Sequence, residues 1–347
     1  MKLQVPFLQL PVLFDAEVLA AEIDGLGESA WRPHPQGFPG NSAIALVSRD
    51  GDPMSDAVQG PMRPTPYLER SPYLMQVMQA IGGVWGRSRL MRLSGQAEVT
   101  AHVDIDYYWR EHIRVHVPIV TQPDVRFYCG DTAVHMAAGE CWLFDTWRRH
   151  KVVNSADKAR IHLVADTVGG AGLWTLVAGA RVPSVQQSNW QVGRLDWDPA
   201  ISAQLRFEST NVPTVMTPWE VKEHLSFVFE DALPHPAMNG VRQLVGHFHR
   251  HWRALWAVHG ESREGWVEYR EAASKFTAEL QRIAQGMVLA NGEQLAYAMR
   301  RLVADIAVSD DSMLQQADER SGQAGINSPS TSAHSAQKAF VEDSSAP

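Results

Sequence analysis

Residues 113–145 read IRVHVPIVTQPDVRFYCGDTAVHMAAGECWLFD. Three runs in this stretch, IRVHVPIV, VRFYCG and CWLFD, are short, rich in β-branched and aromatic residues, and parted by the turn residues QPD, GD and AAGE. That is the pattern of consecutive β-strands. Working outward, SAIALVS, RLMRL and AEVTAHVDI precede it and ARIHLVADTV follows, with SGQ as a further turn. Many short strands with no helix between them predict a mainly β fold, an antiparallel sandwich or barrel of the jelly-roll kind.

The flanks read differently. DAEVLAAEIDGLG, residues 15–27, carries apolar residues at helical spacing and ends on glycine, so a short amphipathic helix is expected there. Beyond about residue 180 the pattern becomes helical: PTVMTPWEVKEHLSFVFEDAL has Thr and Pro where a helix starts, and Val241, Leu244, Val245, Phe248, Trp252 and Leu255 recur at three and four residues. The expected organisation is a β-domain with its N-terminal helix over 1–180, a connector over 181–218 and an α-helical cap or bundle over 219–310. A Ser-, Gln- and Gly-rich tail over 311–347 has too few apolar residues to offset ordering entropy, and disorder is expected there. There is no internal repeat.

Composition narrows the function classes. A net charge of -8 gives no basic field for a phosphate backbone, which argues against nucleic acid. The longest uncharged glycine-rich stretch, VGGAGLWTLVAGA, is too short to span a bilayer. MKLQVPFLQLPVLF is broken by prolines and glutamines and lacks the parts of a signal peptide, so a cytoplasmic location is expected. Cys129 and Cys141 fall inside strand-like runs and read as reduced, buried thiols.

Chemistry concentrates in HVDIDYYWREHIRVHVPI, residues 102–119. Residues two apart on a strand share a face, so His102 and Asp104 can reach one metal ion. A third ligand is offered by His150. Two imidazoles and a carboxylate leave one face of an octahedral ion open, the arrangement of non-haem Fe(II) oxygenases, which need a bidentate co-substrate and dioxygen. The usual co-substrate, 2-oxoglutarate, has a distal carboxylate best matched by arginine, and Arg160 opens a strand ten residues after His150. By alternation Arg160, His162, Val164 and Asp166 share a face, as do Arg114 and His116.

H-x-D, then R-V-H-V-P, then GECWLFD, then His150 and Arg160 resembles, over roughly 85–170, the aspartyl/asparaginyl β-hydroxylase family, which includes bacterial proline hydroxylases. The resemblance implies a double-stranded β-helix, a cupin-like jelly-roll variant, and an Fe(II)- and 2-oxoglutarate-dependent hydroxylase. Carried over by position, it implies His102, Asp104 and His150 as iron ligands and catalytic centre, Arg160 on the distal carboxylate, and Arg114 and His116 in the co-substrate pocket. Some protein-modifying members have glycine at the position of Asp104, so the intact H-x-D is more similar to the small-molecule branch. Met91 stands where some members present a serine.

An amino acid or small derivative is therefore the expected substrate, with an Asp or Asn side chain of a polypeptide as the alternative. A cupin-like metal protein without oxygenase activity is a third reading, and Arg160 argues against it. Tyr108 and Trp109, in an expected loop over the metal, are candidate substrate contacts. Arg92, Arg110 and Arg126 are candidate partners of a substrate carboxylate. Asp106 shares a strand face with Asp104 and is an alternative ligand. His112 and His135 read as surface or supporting groups, and His247 and His251 as a solvated helix face. The helical half reads as a cap on the barrel or a homodimer surface.

Overall fold

The computed structural model describes residues 1–34, 37–185 and 188–309. The tail for which disorder is expected lies outside them. Ten strands build the jelly roll: β1 (Phe7–Phe14), β2 (Asn41–Arg49), β3 (Val84–Leu93), β4 (Ala97–His102), β5 (Ile113–Val120), β6 (Val125–Cys129), β7 (Thr132–Val134), β8 (Glu140–Phe144), β9 (His150–Asn154) and β10 (Arg160–Thr167). The large sheet runs β1-β8-β5-β10-β3-β2, extended by short strands, and the small sheet runs β4-β9-β6-β7. Neighbouring pairs among the ten are antiparallel.

From β3 onward the chain alternates between sheets. β3 is in the large sheet, β4 in the small, β5 in the large, β6 and β7 in the small, β8 in the large, β9 in the small and β10 in the large. That winding is a double-stranded β-helix, and it leaves a space between the sheets onto which inward side chains converge.

Alternation assigns the faces. Ile113, Val115, Val117 and Ile119 of β5 and Leu163 and Ala165 of β10 face outward into a buried cluster. That cluster is closed by α1 (Ala16–Asp24), α2 (Pro72–Ile81) and α4 (Ala171–Ala178), with α3 (Tyr107–Glu111) lying elsewhere, beside the inter-sheet space. Leu19, Ile23, Leu74, Val77 and Leu173 supply the helices' share. Each such side chain removed from water contributes about 1.5–3 kcal/mol. The intervening residues of the same strands, Arg114, His116, Arg160 and Val164, face the other sheet. There a smaller apolar cluster of Phe7, Leu93, Phe127, Trp142, Phe144 and Val152 surrounds them.

Three strands go beyond the sequence expectation. β1 carries Pro11, which has no N–H to donate; the strand absorbs it at a register shift between Leu10 and Leu13. β7 and β9 are too short and too polar to stand out as apolar runs. Conversely, AEVTAHVDI leaves its strand at His102, so Asp104 sits beyond the ladder. The expected loop over the metal is instead α3, a helical turn whose N-terminus is capped by Asp106 accepting from the Tyr108 N–H at 3.1 Å.

The C-terminal half packs α5 (Pro218–Glu230), α6 (Met238–His259), α7 (Trp266–Ile283) and α8 (Leu295–Met299), followed by a π-helical turn over Arg300–Ala304. Thr217 caps α5 through the Glu220 N–H, and Pro218 occupies its first turn. Val241, Phe248, Trp252 and Leu255 of α6 meet Tyr269, Phe276 and Leu280 of α7, and the cluster reaches Ile105, Tyr107 and Trp147 at the jelly roll. Among the described residues no helix is long and apolar enough to cross a membrane.

Candidate active site

A cavity of about 650 Å³ opens between the two sheets. His102, Asp104 and His150 line it and form the one group of metal-ligating side chains found among the described residues, with all their donor atoms within 4.8 Å of one another. The ladder explains this. β9 pairs with β4 so that His150 lies directly opposite His102, with ring centroids 4.2 Å apart. Asp104 follows two residues on, with its Oδ1 3.8 Å from His102 Nε2 and its Oδ2 3.9 Å from His150 Nε2.

The imidazole orientations are set from behind. His102 Nδ1 lies 2.8 Å from the Thr100 carbonyl and His150 Nδ1 2.9 Å from the Arg148 carbonyl. With each Nδ1 donating its proton, both Nε2 lone pairs face the cavity, the arrangement that supporting hydrogen bonds give to metal-bound histidine. Burial pushes His150 down to about 4, so it is neutral near pH 7. Burial would raise Asp104, but Arg114, His150 and His102 overcome it and hold the carboxyl at about 2. The site thus offers two imidazole nitrogens and one carboxylate, a donor set that fits a divalent metal such as Fe(II).

Arg114 braces this group. It donates to Asp104 Oδ2 at 3.0 Å and Asp166 Oδ1 at 2.9 Å, and stacks 4.1 Å over Trp109. Burial would lower its pKa, but the two carboxylates more than compensate. Deeper in, Arg160 is 4% exposed and its only hydrogen bond among the described residues is a 3.4 Å contact to the Met91 carbonyl. Its Nε has no partner there. His116 lines the same region against Phe127 and Phe144, and burial together with Arg160 and Arg114 keeps it neutral.

Several sequence candidates stand elsewhere. Tyr108 is fully buried outside the cavity; its hydroxyl accepts from the Arg87 N–H at 2.9 Å, and a methyl group on Gly86 would sit 2.6 Å from it. Arg110 turns to the helical half, 4.2 Å over Phe227, in a separate surface cleft. Arg92 lies on the opposite face of β3 from Met91, paired with Glu28 at 2.7 Å and stacked on Trp31. Arg126 projects outward between the buried Val125 and Phe127. Trp109 does line the cavity.

Asp106 is no ligand of the group: it caps α3 and pairs with Arg301. His112 is not a surface group, being 2% exposed, stacked on Tyr108 and bonded to Glu208. His247 and His251 are exposed.

Unanticipated in the sequence are Arg87, Arg89 and Asn41 from the large sheet, His34 and Asp56 from the loops before it, and Tyr297 and Arg301 from the helical half. For Arg87 and Arg89 a signal existed, since they share the period-two face of Met91. For Tyr297 and Arg301, far along the chain from all three ligands, none did.

Residues 58–169, the span that contains every group just described on β3 to β10, match the aspartyl/asparaginyl β-hydroxylase family. The chain resembles that family there. Over an alignment of 116 residues the chain is 30% identical to L-proline cis-3-hydroxylase 1 of a Streptomyces species; the match takes in 32% of this chain, and the chain spans 40% of the length of that curated relative. Among solved structures, a prolyl-4-hydroxylase from Pseudomonas putida is 15% identical, covers 47% of this chain and 92% of its own, and has a TM-score of 0.33. HygX from Streptomyces hygroscopicus, solved with nickel, 2-oxoglutarate and hygromycin B, is 11% identical, with 48% and 83% coverage and a TM-score of 0.34.

Proposed function

We propose that the protein is an Fe(II)- and 2-oxoglutarate-dependent dioxygenase that hydroxylates an unactivated C–H bond of an amino acid or small amino-acid derivative. The observation that carries this reading is the coincidence, in one cavity, of the His102, Asp104 and His150 donor group with the buried, carboxylate-free guanidinium of Arg160. A metal protein without a dicarboxylate co-substrate has no use for that second feature. The likeness to a proline hydroxylase supports the small-molecule substrate over a polypeptide. The free thiols Cys129 and Cys141 are compatible with the reducing cytoplasm that we take as its location.

In this reading His102, Asp104 and His150 hold Fe(II), which with 2-oxoglutarate supplies the oxygen-activating chemistry. Arg160 receives the distal carboxylate of the co-substrate and orients it through two parallel N–H donors. His116, neutral and wedged between Phe127 and Phe144, forms a wall of that pocket. Arg114 keeps Asp104 ionised and aimed at the ion. Trp109 lies over Arg114 and lines the same cavity.

Anaerobic titration with Fe(II) and 2-oxoglutarate should produce the weak visible charge-transfer band of the chelate. Ala at His102, Asp104 or His150 should remove the band and the succinate release. Arg160→Met should keep metal binding while raising the 2-oxoglutarate requirement roughly 10- to 100-fold, as expected for loss of one charge-assisted contact. Full turnover in all three ligand variants, or an unchanged co-substrate requirement in Arg160→Met, refutes the assignment.

A further inference from the structure

Asp104 poses a mechanical problem that His102 and His150 do not. The two histidines are fixed opposite each other by the pairing of β4 with β9, and β9 is paired with β6 on its other side. Asp104 lies two residues past the end of β4, where its N–H donates to the Thr146 carbonyl at 3.2 Å. Arg114 aims the carboxylate, but the backbone that carries it needs a hold of its own, because ordering a segment outside a ladder costs conformational entropy.

The helical half supplies that hold. While the carboxylate of Asp104 points at the two histidines, the side chains of Val103, Ile105 and Tyr107 pack into the buried cluster of the helical half. The Tyr107 hydroxyl donates to Glu220 Oε1 in the first turn of α5 at 2.6 Å. Asp106, the cap of α3, receives Arg301 from the π-helical turn. Arg301 is steadied in turn by Asp305 Oδ2 at 3.3 Å, and the Asp305 N–H closes the turn on the Arg300 carbonyl at 3.0 Å, an i to i+5 bond. The segment that carries Thr146 is fastened to the same half: Trp147 Nε1 donates to Asp231 Oδ2 at 2.8 Å, and Asn291 Nδ2 donates to the Trp147 carbonyl at 2.9 Å.

We propose that the helical half is a positioning clamp for the metal site: through Arg301 on Asp106 and Glu220 on Tyr107 it holds Asp104 against His102 and His150. This rests on the reading of those three residues as a metal site. Arg301 and Glu220 act through their neighbours and are positioning residues. Without the clamp the histidines keep their ladder and still offer two nitrogens to a divalent ion, but the carboxylate meets it for only part of the time.

The test uses Co(II) on the full chain without substrate, since its visible bands report the number and geometry of its ligands. Asp104→Ala gives the reference spectrum of a two-histidine site. The double variant Asp106→Asn/Arg301→Met removes one tie at unchanged net charge and leaves a good cap at 106. Its Co(II) bands should move towards the reference, and its Co(II) affinity should fall roughly 10-fold, the low end for loss of a group behind a metal ligand. Tyr107→Phe should act in the same direction, whereas Arg301→Lys, with the charge kept, should stay closer to wild type. Leu280→Ala lies in the helical cluster on α7, which makes neither tie; it should lower the thermal midpoint and leave the bands and the affinity as they are. Wild-type bands and affinity in both Asp106→Asn/Arg301→Met and Tyr107→Phe overturn the proposal. So does a change in Leu280→Ala as large as theirs, which makes the effect one of general stability. If the double variant does not fold, Tyr107→Phe, the loss of one hydroxyl, decides on the same readout. A wild-type protein that takes up no Co(II), or whose bands are the same in Asp104→Ala, refutes the metal site itself, a result distinct from these.

Discussion

Replacing Arg114 by Met tests the electrostatic frame of the site without relying on turnover. The guanidinium is 12% exposed and stands between Asp104, 11% exposed, at 3.0 Å and Asp166, 3% exposed, at 2.9 Å. Methionine keeps most of the stem volume but leaves two buried carboxylates with no counter-charge. Removing one partner of a buried ion pair costs about 3–5 kcal/mol, a large part of the 5–15 kcal/mol typical of a folded domain. Urea unfolding of the metal-free protein should therefore show a clear drop in midpoint at an unchanged slope.

Two further arms separate charge from packing. Ni(II) should return part of the loss, because a bound cation again compensates Asp104, and it should return more to Arg114→Met than to wild type. Adding Asp166→Asn should also relieve the variant, with a coupling of about 0.5–3 kcal/mol between the sites. An apo loss below about 1 kcal/mol, or strictly additive effects of Arg114→Met and Asp166→Asn, refutes the view that Arg114 is held in place by these charges.

The metal-free protein should lose stability as pH falls from 7 to 5. His116 and His162 are 4% and 2% exposed, and burial, first among the causes, holds both well below the ordinary histidine value, so below about 6.5 the unfolded chain takes up protons that the folded one refuses. Each withdraws up to about 2 kcal/mol over that window, and a thermal midpoint that is flat or rising towards pH 5 contradicts their neutrality. In the helical half, Trp252→Ala should cost about 3–5 kcal/mol, since the fully buried indole packs against Phe248 and Tyr269 and donates to the Met216 carbonyl at 2.8 Å. A loss under 1 kcal/mol by chemical denaturation contradicts a close-packed cluster.

The order of the long strands was legible because β5, β8 and β10 are apolar, β-branched runs between turn residues. Their alternation also showed that Arg114 shares a face with His116, and Arg160 with Val164. β9 was not legible: HKVVN has no periodic signal, and it is a strand because β4 and β6 pair with it on both sides. The helical turn α3 has the sequence of a loop because its aromatic residues have weak helix preference; the Asp106 cap and burial of Tyr107 and Tyr108 against the rest of the fold make it helical.

By itself, then, the sequence determined which residues share a face and which donor types exist at which spacing, because a strand's period of two is a local property. It did not determine which face looks inward or what lies across from it. Arg92 and Arg89 belong to one strand, yet one meets Glu28 at the surface and the other the cavity. Asp106, two residues from Asp104, is claimed by Arg301 from the far end of the described chain. Those outcomes depend on how two sheets and a helical half pack, and packing joins residues that no local period relates.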